Sequence, residues 1–183
     1  MLIDNASSGI QGDVRVLSIE KVDMGDLAPF RKMVETYWQE LMPQAIVLRD
    51  APARDAYFQE QFAWDSGNNH PHWAMVDDCR VGFMTFEVSK EQKRAKVNNF
   101  YVVPQMRHQG YGSAMVQCLF EYLDSLGVQR IDLDVRRDNP KALAFWQAQG
   151  FGIAGYRLRQ YRDSESGTAL VGALSSDMRL GES

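Results

Sequence analysis

The stretch YVVPQMRHQGYGSAMVQCLFEYL, residues 101–123, decides how the rest of the chain is read. It opens on a β-branched run that Pro104 stops. A basic polar loop with two glycines follows, and from Tyr111 apolar residues recur at helical spacing. The order is strand, tight loop, amphipathic helix. The expected helix covers residues 111–126, with an apolar stripe of Met115, Leu119, Leu123 and Leu126. Its wet face is Ser113, Gln117, Glu121 and Asp124, and Gly127 ends it. A helix N-terminus offers unpaired backbone N–H groups and the positive end of a dipole, so such a loop suits an anion, most sharply a diphosphate. Gly110 and Gly112 let the backbone approach an anion without an intervening Cβ, and Arg107 and His108 set basic groups nearby. The plainer alternative is a loop that uses glycine only to turn tightly and start a helix.

Three phosphate loops can be compared with it. A P-loop needs G-x-x-x-x-G-K-[ST], and no Lys-Ser/Thr pair stands here. A dinucleotide fingerprint needs G-x-G-x-x-G; Gly110 and Gly112 fit its first two glycines, and Asp132 or Asp134 could supply the acidic residue further on. Its third glycine position is Met115. The third pattern, R/Q-x-x-G-x-G, is met as RHQGYG, residues 107–112.

The flanks extend the reading. Residues 1–12 are polar and read as a flexible segment, ahead of one domain over 13–183. VRVLSI (14–19) alternates as a strand. Leu27, Phe30, Val34, Tyr37 and Leu41 mark a helix that Asp23 or Asp26 can cap and Pro43 stops. A second helix is expected over 52–64, and DSGNNHPH (65–72) as a loop holding His70 and His72. WAMV, VGFMTFEV and AKVNNFYVV follow as an antiparallel meander with polar connections. After the quoted stretch come the strand RIDLDV, a turn in which Asp138 or Asn139 caps a helix with Pro140 in its first turn, and a stop at Gly150. FGIAGYRLRQY and TALVGALSSDMRL read as closing strands. The order β-α-α-β-β-β-α-β-α-β-β gives an α/β fold: a mixed twisted sheet with helices on both faces.

Composition is that of a globular protein, 183 residues with 45% hydrophobic and 24% charged side chains. A net charge of −4 argues against general nucleic-acid binding and suits a cationic substrate. The two cysteines form no C-x-x-C pair, so neither a disulfide framework nor a zinc site is expected. No uncharged apolar run reaches the length of a membrane span, and the opening residues resemble no secretory signal, so the expected setting is the cytoplasm.

At RHQGYG the sequence resembles the GNAT superfamily, the acyl-coenzyme-A-dependent N-acetyltransferases. FYVVPQMRHQGYGSAMV is similar to that family's strand and pyrophosphate loop. LDVRRDNPKALAFWQAQGF (133–151) is similar to its second signature, in which an asparagine opens a helix closing on Gly-Phe. The resemblance runs over about residues 14–180. It implies acetyl-CoA as acyl donor and no metal. The backbone of Arg107, His108, Gln109, Gly110, Tyr111, Gly112 and Ser113 would wrap the pyrophosphate. Tyr101, Val102 and Val103 would pair with the pantetheine arm like an added strand, in a gap where this strand splays from the next. Asn139, Ala142, Phe145 and Trp146 would line the arm, although helix residues of this kind serve equally as core. A backbone N–H at Val102 or Val103 would stabilise the developing oxyanion.

The chain departs from the family where protons move. Trp146 stands where the family often has a general-acid tyrosine, and an indole does not give up its proton near neutral pH. Tyr156, Tyr161 or Tyr111 could serve instead, or no side chain at all. The strand before the loop carries no carboxylate, leaving Glu87 and Asp134 as candidate bases and Asn98 or Asn99 as holders of a relay water. Tyr37, Trp38, Tyr57, Phe58 and Trp64 read mainly as packing, in a region that commonly walls the family's acceptor pocket. The expected function is acetyl transfer to a primary amine on a small molecule or peptide, in a chain that could form a homodimer. The alternatives are a non-catalytic acyl-CoA sensor of the same fold and a dinucleotide binder.

Overall fold

The computed structural model describes residues 16–43, 50–62 and 69–156. Segment 1–12, Trp64, Tyr161 and the closing strands past residue 156 lie outside the described residues. The elements run β1 (Leu17–Lys21), α1 (Leu27–Leu41), α2 (Ala51–Phe62), β2 (Asn69–Val76), β3 (Cys79–Ser89), β4 (Arg94–Val102), α3 (Tyr111–Ser125), β5 (Arg130–Leu133) and α4 (Pro140–Ala148). They build a five-stranded sheet in the order β1-β2-β3-β4-β5. The first three pairings are antiparallel and β4–β5 is parallel, the mixed sheet that the meander and the strand–helix–strand unit predict. Asp77 and Asp78 both take positive φ in the β2–β3 hairpin, as a tight two-residue turn requires.

Each sheet face buries its own helices. On one, α3 sets Met115, Leu119 and Leu123 against Ala74, Met84, Phe86, Ala95 and Val97. Burying such side chains is worth about 2 kcal/mol each. On the other, Phe30, Val34 and Trp38 of α1 and Phe58 and Phe62 of α2 meet Trp73, Phe83 and Tyr101. Phe30 is the hub there, edge-on to Phe62, Trp73 and Phe83 with ring centroids 5.2–5.3 Å away. Leu126 departs from the expected stripe. The helix ends at Ser125, and Leu126 is turned out, 37% exposed.

The α1 cap differs from both readings. Asp26 occupies the cap position without a side-chain cap bond. Its carboxylate instead accepts from Trp73 Nε1 at 3.1 Å and pairs with Arg80, while Asp23 accepts from the Asp26 N–H.

The expected loop at 65–72 is overturned over its last residues. Asn69, His70, Pro71 and His72 belong to β2, and His72 is only 3% exposed. Pro71 is tolerated because it costs a single ladder bond beside the end of β1, and its C=O still accepts from the Val22 N–H at 3.0 Å. Both imidazoles stack on Phe86, and His72 also meets Tyr122. Residues 151–156, expected to begin a strand, carry no regular structure. No helix among the described residues is long and apolar enough to cross a membrane.

Two consequences can be measured. Burial lowers the His72 pKa below its ordinary 6.5, so the unfolded chain binds more protons than the folded one as pH falls below that value. Stability should therefore decline from about pH 6.5 downward. His72→Phe should flatten that decline in urea midpoints taken from pH 7.5 to 5; an unchanged slope would disprove the assignment. Gly82 of β3 faces the β4 backbone so closely that an added Cβ would sit 2.1 Å from the Tyr101 carbonyl oxygen. Gly82→Ala must push the strands apart and should cost at least about 1–3 kcal/mol in chemical denaturation.

Candidate active site

The site begins at an irregularity in β4. Strands β4 and β5 pair from Arg94↔Arg130 to Val97↔Leu133 and no further. The next residue, Asn98, is extra: Phe86 faces Val97, whereas Thr85 faces Asn99. A bulge of this kind bends its strand and sharpens its twist. Beyond it β4 stays on β3, and the Val103 N–H donates to the Val81 C=O at 2.9 Å. Strand alternation then turns the N–H and C=O of Phe100 and Val102 away from β3, onto an edge that no strand covers among the described residues. This corrects part of the sequence reading. Tyr101 and Val103 spend their backbone groups on β3, so of the two expected oxyanion donors only the Val102 N–H faces the open edge.

The glycine loop continues from that edge. A short helical turn at Pro104–Met106 leads to His108 and Gly110, whose φ values are +60° and +85°. Gly110 is the N-cap of α3, and the first bond of the helical ladder runs from the Ala114 N–H to its C=O. The amides of Tyr111, Gly112 and Ser113 precede that ladder. A Cβ on Gly110 would meet nothing within 4 Å, so its positive φ is what demands glycine. Gly112 has a different reason: a Cβ there would lie 3.2 Å from the Phe145 ring of α4. Ser113 Oγ accepts from Gln149, a second tie between these helices.

Arg107 does not reach into the loop as a bare positive charge. Its Nε donates to the Val102 C=O at 2.8 Å, and a terminal nitrogen donates to Glu40 at 2.7 Å. The guanidinium lies over the Tyr101 ring. Glu40, in the last turn of α1, also accepts from the Tyr101 hydroxyl at 2.6 Å. Burial, reinforced by this carboxylate, drives the Tyr101 pKa far above that of a free phenol. Burial, with a smaller contribution from the neighbouring Tyr57, pushes Tyr37 up to about 12. Tyr37, Glu40, Leu41, Phe100, Val102 and Asn139 line a cavity of about 270 Å³. Sequence reasoning missed Glu40, because nothing in the chain links it to a loop 67 positions on.

A second cavity, of about 350 Å³, lies along β4 at the bulge. It gathers both candidate bases and both candidate water holders: Glu87, Asp134, Asn98 and Asn99, with Glu60 of α2 and Lys96. Glu87 accepts from Asn98 Nδ2 at 2.8 Å, and Asp134 pairs with Lys96 at 3.3 Å.

Helix α4 closes the other side. The Asn139 side chain caps it, accepting from the Ala142 N–H at 3.0 Å, an interaction worth about 1 kcal/mol. Ala142 and Phe145 are half-buried. Trp146 is buried against Phe100 and Phe151, with ring centroids 5.0 and 5.1 Å away. Of the tyrosines expected as acids, Tyr111 packs on the sheet and Tyr156 is 91% exposed and lines neither cavity.

Known proteins resemble the chain in sequence or share its fold. The sequence is 25% identical over 121 residues to the [ribosomal protein bS18]-alanine N-acetyltransferase of Escherichia coli strain K12, covering 66% of this chain and 80% of that protein. The fold superposes on the PaiA N-acetyltransferase of Thermoplasma acidophilum, solved with coenzyme A, at a TM-score of 0.61 and 15% identity, over 77% of this chain and 92% of that one. An aminoglycoside acetyltransferase from an uncultured soil metagenomic sample, solved with sisomicin, gives 0.62 at 16% identity over 81% and 97%. The sequence model of the acetyltransferase (GNAT) family matches residues 31–151, which contain the bulged strand, the glycine loop and the asparagine-capped helix. The chain belongs to the acetyltransferase (GNAT) family.

Proposed function

We propose that this chain is an N-acetyltransferase that moves an acetyl group from acetyl-CoA to a primary amine by direct attack. The observation that carries this reading is the uncovered edge of β4 at Phe100 and Val102, leading straight into the N-terminus of α3. The residues present fit coenzyme A. The leading amides of α3 and a loop open at Gly110 suit a diphosphate. The β4 edge suits an arm made of amides, which can add to a sheet as a strand does. Acetyl-CoA supplies the acetyl group already activated as a thioester.

The chain's own residues then divide the work. Amides from His108 to Ser113 hold the diphosphate. Phe100 and Val102 orient the arm through their backbone, with Asn139, Ala142 and Phe145 beside it. The Val102 N–H, aimed along the open edge, donates to the oxygen that gains charge. At the bulge, Glu87 or Asp134 takes the amine's proton, directly or through water held by Asn98 or Asn99. Trp146 keeps water from that side but supplies no proton. Its presence, with the absence of a carboxylate from β4, favours a non-catalytic acyl-CoA sensor.

The acceptor class follows from charge. Three carboxylates and one lysine line the cavity at the bulge, which favours a cationic amine. The bS18-alanine and aminoglycoside acetyltransferases above direct the choice of test acceptors. Thiol release from acetyl-CoA should be seen with at least one of an alanine-initiated peptide, a free amino acid, a polyamine and an aminoglycoside. Tight acetyl-CoA binding with no release on all four would establish the sensor instead. In thermal shift, acetyl-CoA should raise the melting temperature and NAD should not; stabilisation by NAD alone would end the acetyltransferase reading. Gly110→Asp places a carboxylate beside the diphosphate and should weaken coenzyme A at least about 100-fold. Gly110→Asn, which tolerates the same backbone, should keep most of the affinity. Equal losses in both variants would rule out charge as the cause.

A further inference from the structure

Among the described residues, Lys96 is the one cation lining the cavity at the bulge. In register it faces Glu87 on β3 and Asp132 on β5. Its ion pair is with neither. Asp132 is held by Arg130 at 3.0 Å and by Arg94 at 3.8 Å, and Glu87 accepts from Asn98 at 2.8 Å. Lys96 reaches forward instead, to Asp134 at 3.3 Å. Asp134 follows Leu133, whose pairing with Val97 is the last between β4 and β5. The lysine head is therefore carried past the paired part of the sheet, into the gap where both candidate bases lie.

What Lys96 presents there is a primary alkylammonium, the same group that the acceptor brings. An amine that takes Asp134 from it exchanges like for like and gains nothing at that carboxylate. While Lys96 stays, its charge repels a second ammonium a few ångströms away. The lysine cannot diffuse off as a ligand does, because β4 anchors its stem. Yet its hold is loose: the pair is 36% and 51% exposed, and such pairs add little stability. Lys96 thus opposes a cationic acceptor without excluding it. We propose that Lys96 is an internal stand-in for the acceptor's ammonium group, holding Asp134 until an amine displaces it and so limiting how tightly cationic acceptors bind. This rests on the acetyltransferase reading and adds to it a residue that tunes acceptor affinity from within the cavity.

Calorimetry on the coenzyme A complex tests this without turnover, with alaninamide, putrescine and kanamycin as amine probes. Lys96→Met keeps the length of the stem and removes the charge. It should tighten at least one probe at least about fivefold, while shifting the Kd of coenzyme A less than about threefold. Lys96→Arg keeps the charge and should leave every probe within about threefold of the parent protein. Unchanged or weaker probe binding in Lys96→Met overturns the proposal. So does equal tightening in Lys96→Arg, or failure of all three probes to bind both the parent and Lys96→Met. Asp134→Asn removes the contested carboxylate, and in that background the gain from Lys96→Met should fall below about twofold. A full gain there overturns Asp134 as the contested group. A parent protein that fails to bind coenzyme A at all refutes the acetyltransferase reading itself, a result distinct from these.

Discussion

One extra residue in one strand sets the geometry of the site. Asn98 gives β4 a residue that β3 does not match, and the pairing of β4 with β5 ends at the residue before it. Without the bulge, β5 could follow β4 to its end and cover every polar group that now faces outward. With it, the two strands part, and the backbone groups of Phe100 and Val102 face an edge that no strand covers among the described residues. Both cavities line up along this stretch of β4, one before Phe100 and one after. Unsatisfied edge groups are costly when buried and hazardous when exposed. On β4 an arginine lies over one of them, the Val102 carbonyl.

The wall opposite that edge owes its position to aromatic packing. Phe30 makes edge-on contacts with rings of α2, β2 and β3, each worth about 0.5–1.5 kcal/mol beyond the area buried. These contacts fix the roll of α1, and that roll decides which way its last turn points. Tyr37 meets the Phe83 and Tyr101 rings, and Glu40, one turn on, reaches the Tyr101 hydroxyl. The Arg31–Asp55 and Arg54–Glu35 pairs join α1 to α2 on the outside. A polar contact at the site is therefore set by an apolar cluster well inside the fold.

Much of this was legible in the sequence, and the failures share a cause. Helices α1, α3 and α4, their approximate stops and a cap at Asp138 or Asn139 follow from local periodicity and cap chemistry, which depend on neighbours in the chain. The meander followed from alternation and from the short Asp77-Asp78 turn. What sequence could not carry was register. Asn98 is a bulge only relative to Phe86 and Thr85, and Val103 faces inward only because Val81 accepts its N–H. The pair His70 and His72 reads as a loop because proline and polar residues surround it, until Phe86 supplies a ring to stack on. Glu40 looks like an ordinary surface charge until the fold brings it to Arg107. Gly112 has a neighbour that the sequence did not show, since a Cβ there would lie 3.2 Å from the ring of Phe145.

The tryptophan at position 146 can be weighed against the carboxylates at the bulge by magnitude. In the proposed reaction two protons must be managed, one lost by the amine and one gained by the departing sulfur. An alkylamine with a pKa of about 10.4 is neutral only about once in 2,500 molecules at pH 7, a deficit worth about 4.6 kcal/mol. A thiol with a pKa of about 8.5 leaves as its anion at a disadvantage of only about 2 kcal/mol. Losing an acid thus costs less than half as much as losing a base. Having Trp146, which packs on Phe100 of β4, in place of a tyrosine is the cheaper sacrifice. Selection on this site should fall on the polar end of the cleft, where Glu87, Asp134, Asn98 and Asn99 converge, because the larger barrier is met there.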